Sequence, residues 1–170
     1  AKIADMGGPE EQKGFMARLG MLQPMNVGVA EVGPVRYPAN WRRVQTLTIA
    51  FGHGMMVTPM HLVAAAGALA TDGWYRTPYV LKGGSPQKPH KVMEMATVEQ
   101  MRDLMRDVVI SGSGRRSQVL GYDMGGKTGT AEKATGGGYS HSKNVVSFVA
   151  AVPMEAPKYV VLVMLDEPKK

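Results

Sequence analysis

GYDMGGKTGTAEK, Gly121 to Lys133, admits two incompatible readings, and the fold turns on which is right. Read as G-x-x-x-x-G-K-T (Gly121, Gly126, Lys127, Thr128), it is the formal signature of a nucleotide-binding P-loop. That loop requires a strand feeding a glycine turn whose N–H groups wrap phosphates at the start of a helix. Read as K-T-G-T (Lys127 to Thr130), it is instead an edge strand. Such a strand offers a fixed ammonium, two hydroxyls and a glycine that lets a substrate backbone approach closely.

The flanking residues favour the second reading. Before Gly121 stands SGSGRRSQVL, which is no buried strand. After Thr128 come Gly129 and then Gly136 to Gly138, and each glycine costs about 1 kcal/mol relative to alanine in a helix interior. A dozen or so mostly polar residues then lead into NVVSFVAAV, a spacing that suits a hairpin better than a crossover to a parallel strand. The acid-terminated YVVLVMLDE imitates the magnesium-holding strand of nucleotide hydrolases. It also serves as the next strand of a meander, after a break at PMEAP. The C-terminal third therefore predicts antiparallel strands over about 122–166: one from Gly125 to Ala131, a polar tip EKATGGGYSHSK, and two apolar runs.

The preceding residues, 1–120, read as mainly helical. KIADMGG resembles the tail of a helix already under way, and Gly8-Pro9 opens another, with Pro9 at the first helical position and Gly20 as its stop. Residues 21–40 are rich in Pro and Gly and predict an extended excursion. Asn40 is a candidate cap for a short helix over WRRVQTLTI. Thr58-Pro59 starts an Ala-rich helix that is apolar nearly all round, predicts burial, and ends at Gly73. Arg76 to Lys91 predicts surface loop with a short strand at Tyr79 to Leu81. Thr97 and Gln100 form a capping box for a helix to about Ile110, with Val98, Met101, Leu104, Met105 and Val108 on one face. A short helical turn, RRSQVL, precedes the lysine motif.

Composition narrows the chemistry. The 170 residues suffice for one domain with a real core, and 44% hydrophobic against 20% charged residues is a globular balance. There is no cysteine, which removes disulfides, zinc-thiolate sites and thiol nucleophiles together. The 4 histidines have no metal-ligand helical spacing, so no metal and no cofactor is predicted. A net charge of +6 favours anionic partners, but the basic residues are scattered without interleaved aromatics, which argues against nucleic acid. No apolar run approaches the ~20 residues of a membrane span.

Three segments together carry a family resemblance: VQTLTIAFGHGMMVTPMHLVAAAGALATDGWYRTP, GSGRRSQVLGYDMGGKTGTAEK and VVSFVAAVP, in that order. They resemble class B penicillin-binding proteins, most closely the cell-division peptidoglycan D,D-transpeptidases. In that family an FG-x-G turn, V-T-P and an Ala-rich helix precede K-[ST]-G-T at a similar distance. The resemblance implies an α/β (α+β) serine-transferase fold, with a five-stranded antiparallel sheet between helices, of which residues 1–170 would be the C-terminal part of one domain. It implies that Lys127, Thr128 and Thr130 bind the terminal carboxylate of a D-Ala-D-Ala stem peptide or a β-lactam, with Gly129 in the same substrate-binding strand letting the substrate backbone approach. The backbone N–H of Thr130 would be an oxyanion-hole donor. Gly52, His53 and Gly54 match a turn lining the cleft wall; a solvated loop histidine explains His53 equally well.

The same family attacks with the serine of an S-x-x-K at the start of a buried helix, accompanied by S-x-N. The formal matches here, SPQK (Ser85 to Lys88), SHSK (Ser140 to Lys143) and SKN (Ser142 to Asn144), lie in loop or hairpin-tip sequence. The expectation is that no nucleophile lies in these residues. The attacking serine and its base would precede Ala1, and the segment alone would be catalytically silent. The resemblance further implies a periplasmic domain anchored to the inner membrane and partners in the division machinery. A D,D-carboxypeptidase, a penicillin-sensing receptor, a non-catalytic scaffold and a nucleotide hydrolase are the competing readings.

Overall fold

The structure is a computed structural model that describes residues 1–84, 87–135 and 138–169. Packing divides the chain into two compact units, Ala1–Ala68 with Gly73–Met93, and Leu69–Asp72 with Glu94–Lys170.

In the first unit, helix α1 (Lys2–Arg18) is broken at Gly8, whose φ of 78° and ψ of 175° leave helical space immediately before Pro9. Proline can start a helix because its missing N–H would have no partner there, so the chain restarts at Pro9. Gly20, at φ 70°, follows the end of the helix, and its left-handed backbone is one that glycine adopts without strain. Helix α2 (Arg43–Ile49) starts from Arg42, in place of the expected Asn40, with the Gln45 side chain accepting the Arg42 N–H at 3.2 Å. Gln12 links the two helices: its amide donates to the Thr46 carbonyl at 3.1 Å and its oxygen accepts from the Trp41 indole at 3.0 Å.

Helix α3 (Pro59–Ala70) begins at the predicted Thr58-Pro59 signal, reinforced by His61. The Thr58 N–H donates to His61 Nδ1 at 3.2 Å, so Nδ1 is the acceptor and Nε2 carries the proton donated to the Gln23 carbonyl at 3.0 Å. The fully buried His61 thus acts as the returning partner of a capping box. Ala64, Ala65 and Ala68 of α3 pack with Leu19, Met25, Tyr75 and Val92 into this unit's core. The expected strand at Tyr79 to Leu81 is absent. A two-residue pair forms instead between β1 (Trp74–Tyr75) and β2 (His90–Lys91), while the Val80 N–H goes to the Val27 carbonyl at 3.0 Å.

In the second unit, helix α4 (Met95–Ile110) starts two residues before the predicted Thr97 cap. Glu94 is its N-cap residue, with its carbonyl accepting from Thr97 and Val98, and no side chain caps the helix. Its buried residues are Val98, Met105 and Val109, whereas Leu104, expected on that face, is 58% exposed. Arg102 lies between Val98 and Met105 in the sequence and ties the helix down through the carbonyls of Ala70 and Thr71.

A single 3-10 turn (Arg115–Ser117) leads to β3 (Gly125–Thr135), β4 (Gly138–Val152) and β5 (Tyr159–Asp166), an antiparallel sheet in the order β3-β4-β5. The predicted tip residues are largely strand: the ladder shifts register between Glu132 and Lys133 and continues to Thr135. Helix α4 packs against β3 so closely that a Cβ on Gly125 would lie 2.9 Å from the backbone of both Met105 and Arg106. Met105, Ala151, Met154 and Ala70 form the core of this unit.

Candidate active site

Lys127 lies within an antiparallel strand, with Val149 opposite it, and not in a turn that launches a helix. That placement removes the P-loop reading. β3 is at the edge of its sheet, so every second backbone N–H and C=O points away from β4.

The register tells which ones. The carbonyls of Asn144 and Val152 accept from Glu167 and Lys158 at 2.9 and 3.1 Å, so even-numbered residues of β4 turn their backbone groups toward β5. Odd-numbered ones, Ser147 and Val149, then turn toward β3, where they face Gly129 and Lys127. Thr128 and Thr130 are left with N–H and C=O groups on the open edge.

The side chains obey the same period. Thr128 and Thr130 share one sheet face with Val146, Phe148, Val163 and Leu165, while Lys127 and Gly129 belong to the other. The long lysine stem offsets that alternation. Its Nζ curls over the edge to donate to the Thr128 carbonyl at 2.7 Å and reaches 3.5 Å from the Thr128 hydroxyl. Gly129 has no such latitude: a Cβ there would sit 2.7 Å from Ser147 Oγ. The strand edge therefore carries an ammonium, a hydroxyl and an outward N–H within four consecutive residues.

Two arginine contacts hold the start of β3. Arg106 pairs with Asp123 at 2.5 Å and donates to the Met124 carbonyl at 3.1 Å, fixing the residues just before the motif to α4. On the Thr128 face a depression of about 280 Å³ is lined by Ser113, Arg116, Thr128, Val146, Phe148 and Val163 among others. Ser113 is a contributor that sequence reasoning missed: its hydroxyl is 2.8 Å from that of Thr128. The available signal was a serine between two glycines just upstream of the motif, in a segment that otherwise reads as a helix stop.

His53 belongs to the first unit. Its backbone N–H donates to the Thr48 carbonyl at 3.1 Å and its ring lies 6.3 Å from that of Phe51, in a turn where Gly52 and Gly54 both have φ of 89°. Of the S-x-x-K matches, Ser85 lies outside the described residues, and Ser140 to Lys143 form part of β4, not the start of a helix. Among the described residues no group of three or more His, Asp or Glu is arranged to hold a metal ion. No described helix is long and apolar enough to cross a membrane.

The architecture is α+β, an antiparallel sheet with helices, the fold of penicillin-binding protein transpeptidase domains. The chain belongs to the family described as the penicillin binding protein transpeptidase domain, whose match covers residues 1–170. It is 34% identical over 180 residues to a Caulobacter vibrioides protein named "Probable peptidoglycan D,D-transpeptidase FtsI", covering 99% of this chain and 31% of that protein. It is similar in structure to the apo transpeptidase domain of Burkholderia pseudomallei penicillin-binding protein 3, with a TM-score of 0.89, 34% identity, and coverage of 98% of this chain and 52% of that one. It is also similar to penicillin-binding protein 3 of Mycobacterium tuberculosis in complex with aztreonam, at a TM-score of 0.84, 26% identity, and coverage of 95% and 41%. The chain thus spans about a third of the curated relative and about half of the first solved domain.

Proposed function

We propose that this chain is the substrate-anchoring part of a peptidoglycan D,D-transpeptidase that works through an acyl-enzyme and is acylated by β-lactams. The observation that carries this reading is the outward-facing N–H of Thr130 on an open strand edge, three residues from an ammonium that reaches the same edge. In the proposed mechanism Lys127 and the hydroxyls of Thr128 and Thr130 bind the carboxylate of a D-Ala-D-Ala stem peptide. The scissile carbonyl then lies against the edge, where the Thr130 N–H stabilises the oxygen as it gains charge. Loss of such a donor typically costs about 2.7–4 kcal/mol of transition-state stabilisation. Gly129 leaves room for the peptide backbone.

Acyl transfer also needs a nucleophile and a base within hydrogen-bond reach of each other. In this reading the attacking serine comes from a part of the complete protein outside residues 1–170. The family relationship supports a role in septal wall synthesis, on the periplasmic face of the inner membrane and among division proteins.

The test is labelling of the complete protein with a fluorescent penicillin, followed by peptide mapping of the acylated residue. The expected label sits on a serine outside this segment, and Lys127→Ala slows acylation by about 10- to 100-fold, as befits a lost charge-assisted hydrogen bond. A label on a serine within residues 1–170 overturns the division of roles, and acylation indifferent to Lys127→Ala indicates a scaffold. Product analysis with a stem-peptide donor distinguishes cross-linking from the hydrolysis of a D,D-carboxypeptidase.

A further inference from the structure

We infer that Ser113 is a positioning residue for Thr128: its hydroxyl donates to the Thr128 hydroxyl and leaves the Thr128 proton directed at the substrate carboxylate. The inference deepens the function proposed above and rests on it.

A carboxylate only accepts hydrogen bonds, so Thr128 can bind one only by donating its single proton. A free threonine hydroxyl has other uses for that proton. The Ser113 hydroxyl, 2.8 Å away, is the nearest competing partner, and either oxygen can be the donor in the pair. With Ser113 donating, Thr128 Oγ1 fills an acceptor site and its proton is released for the anion. The two bonds then run in one direction, Ser113 to Thr128 to carboxylate, and each polarises the next. Lys127 Nζ at 3.5 Å from Thr128 Oγ1 acts in the same sense, because an ammonium only donates.

The loop is built to hold Ser113 there. The N–H of Gly112 donates to the Asp107 carbonyl at 3.1 Å and that of Gly114 to the Val108 carbonyl at 2.9 Å, so both neighbours are fastened to the last turn of α4. A side chain would clash at the first neighbour and be crowded at the second. A Cβ on Gly112 would stand 2.9 Å from the Val108 backbone, and one on Gly114 3.1 Å from the Val108 carbonyl oxygen and 3.3 Å from the Phe148 ring. Beyond them the Ser117 hydroxyl donates to the Gly114 carbonyl at 2.6 Å. Ser113 therefore has its backbone held at both sides, with its hydroxyl against the K-T-G-T strand.

A double-mutant cycle on the complete protein tests this, with the rate of acylation by a penicillin resolved into its saturation constant and its limiting rate. Ser113→Ala is expected to weaken saturation by about 3- to 10-fold, the worth of one hydrogen bond, with the limiting rate little changed. Ser113→Thr, which keeps the hydroxyl, restores it. In a Thr128→Ala background Ser113→Ala has less than about a twofold effect, because the group it orients is gone. An equal loss with and without the Thr128 hydroxyl overturns the inference. Absence of any acylation in the unaltered protein indicts the proposed function instead. Neutron crystallography of the unaltered protein then decides the positioning role alone: a Ser113 deuteron directed at Thr128 Oγ1 is expected, and a Thr128 deuteron directed at Ser113 Oγ refutes it.

Discussion

Thr46 is fully buried in α2, and its carbonyl is served by Gln12, yet its hydroxyl has no hydrogen-bond partner among the described residues. An unpaired buried hydroxyl costs about 1–3 kcal/mol, and valine has nearly the same shape without it. Thr46→Val is therefore expected to raise the unfolding free energy by about 1 kcal/mol, measured by denaturant titration of the complete protein; a loss of stability would mean that the hydroxyl is satisfied. Gly129 is constrained differently. Its missing side chain leaves the strand edge clear, and the crowding that a Cβ would meet comes from the movable end of Ser147. Gly129→Ala is expected to leave the melting temperature within a few degrees while slowing β-lactam acylation, a split that separates an obstructed edge from a damaged fold.

At the scale of elements, the position of β3 depends on α4. A Cβ on Gly125 would meet the helix backbone at 2.9 Å, and backbone cannot rotate aside as a side-chain tip can. Gly125→Ala is expected to destabilise by about 1–3 kcal/mol through overpacking and to reduce acylation with it. Retained stability would show that α4 can slide on the sheet. The far end of β3 is held otherwise: Lys133 reaches past β4 to Asp166 at 2.6 Å and Glu167 at 2.9 Å. These pairs are solvent-exposed, where ion pairs contribute little to global stability. Lys133→Met is accordingly expected to leave the melting temperature nearly unchanged but to speed amide exchange around Glu132 to Thr135. Unaltered exchange there would show the clasp to be idle.

For the whole molecule, the shifted groups give stability a pH dependence at each extreme. Arg43 holds the Asp5 carboxyl below its ordinary 3.8, chiefly by hydrogen bonding, and Lys133 does the same for Glu167 relative to 4.5. A depressed carboxyl stabilises the fold above its unfolded value, and that contribution is lost as pH falls through the folded one. On the alkaline side, burial raises Tyr75 above 10.0, and hydrogen bonds to Asp166 and then Glu167 raise Lys133 above 10.5. Groups raised in this way stabilise below their unfolded values and cease to do so as pH climbs through the folded ones. Melting temperatures of the complete protein are expected to fall as pH drops below about 4.5 and as it climbs above about 10, more gently in high salt on the acid side. A melting temperature that holds at both extremes would show that these contacts contribute nothing.

Much of this architecture is local chemistry and was legible without coordinates. Thr58-Pro59 starts α3 because the signal lies within one turn, Gly8-Pro9 breaks α1 through its own dihedrals, and the glycines after Thr128 forbid a P-loop helix wherever the chain packs. The glycines favoured the antiparallel edge strand, and three segments in order carried the family resemblance. What only the tertiary structure decided depends on partners distant in sequence: the β1–β2 pair in place of a strand at Tyr79, and Val109 in place of Leu104 on the buried face of α4. The site divides in the same way. The identity of Lys127 and Thr130 is written in the sequence, but the outward direction of the Thr130 N–H follows from a register fixed by Asn144 and Val152 against β5. The contact of Ser113 with Thr128 exists only because helix α4 delivers its loop to that strand.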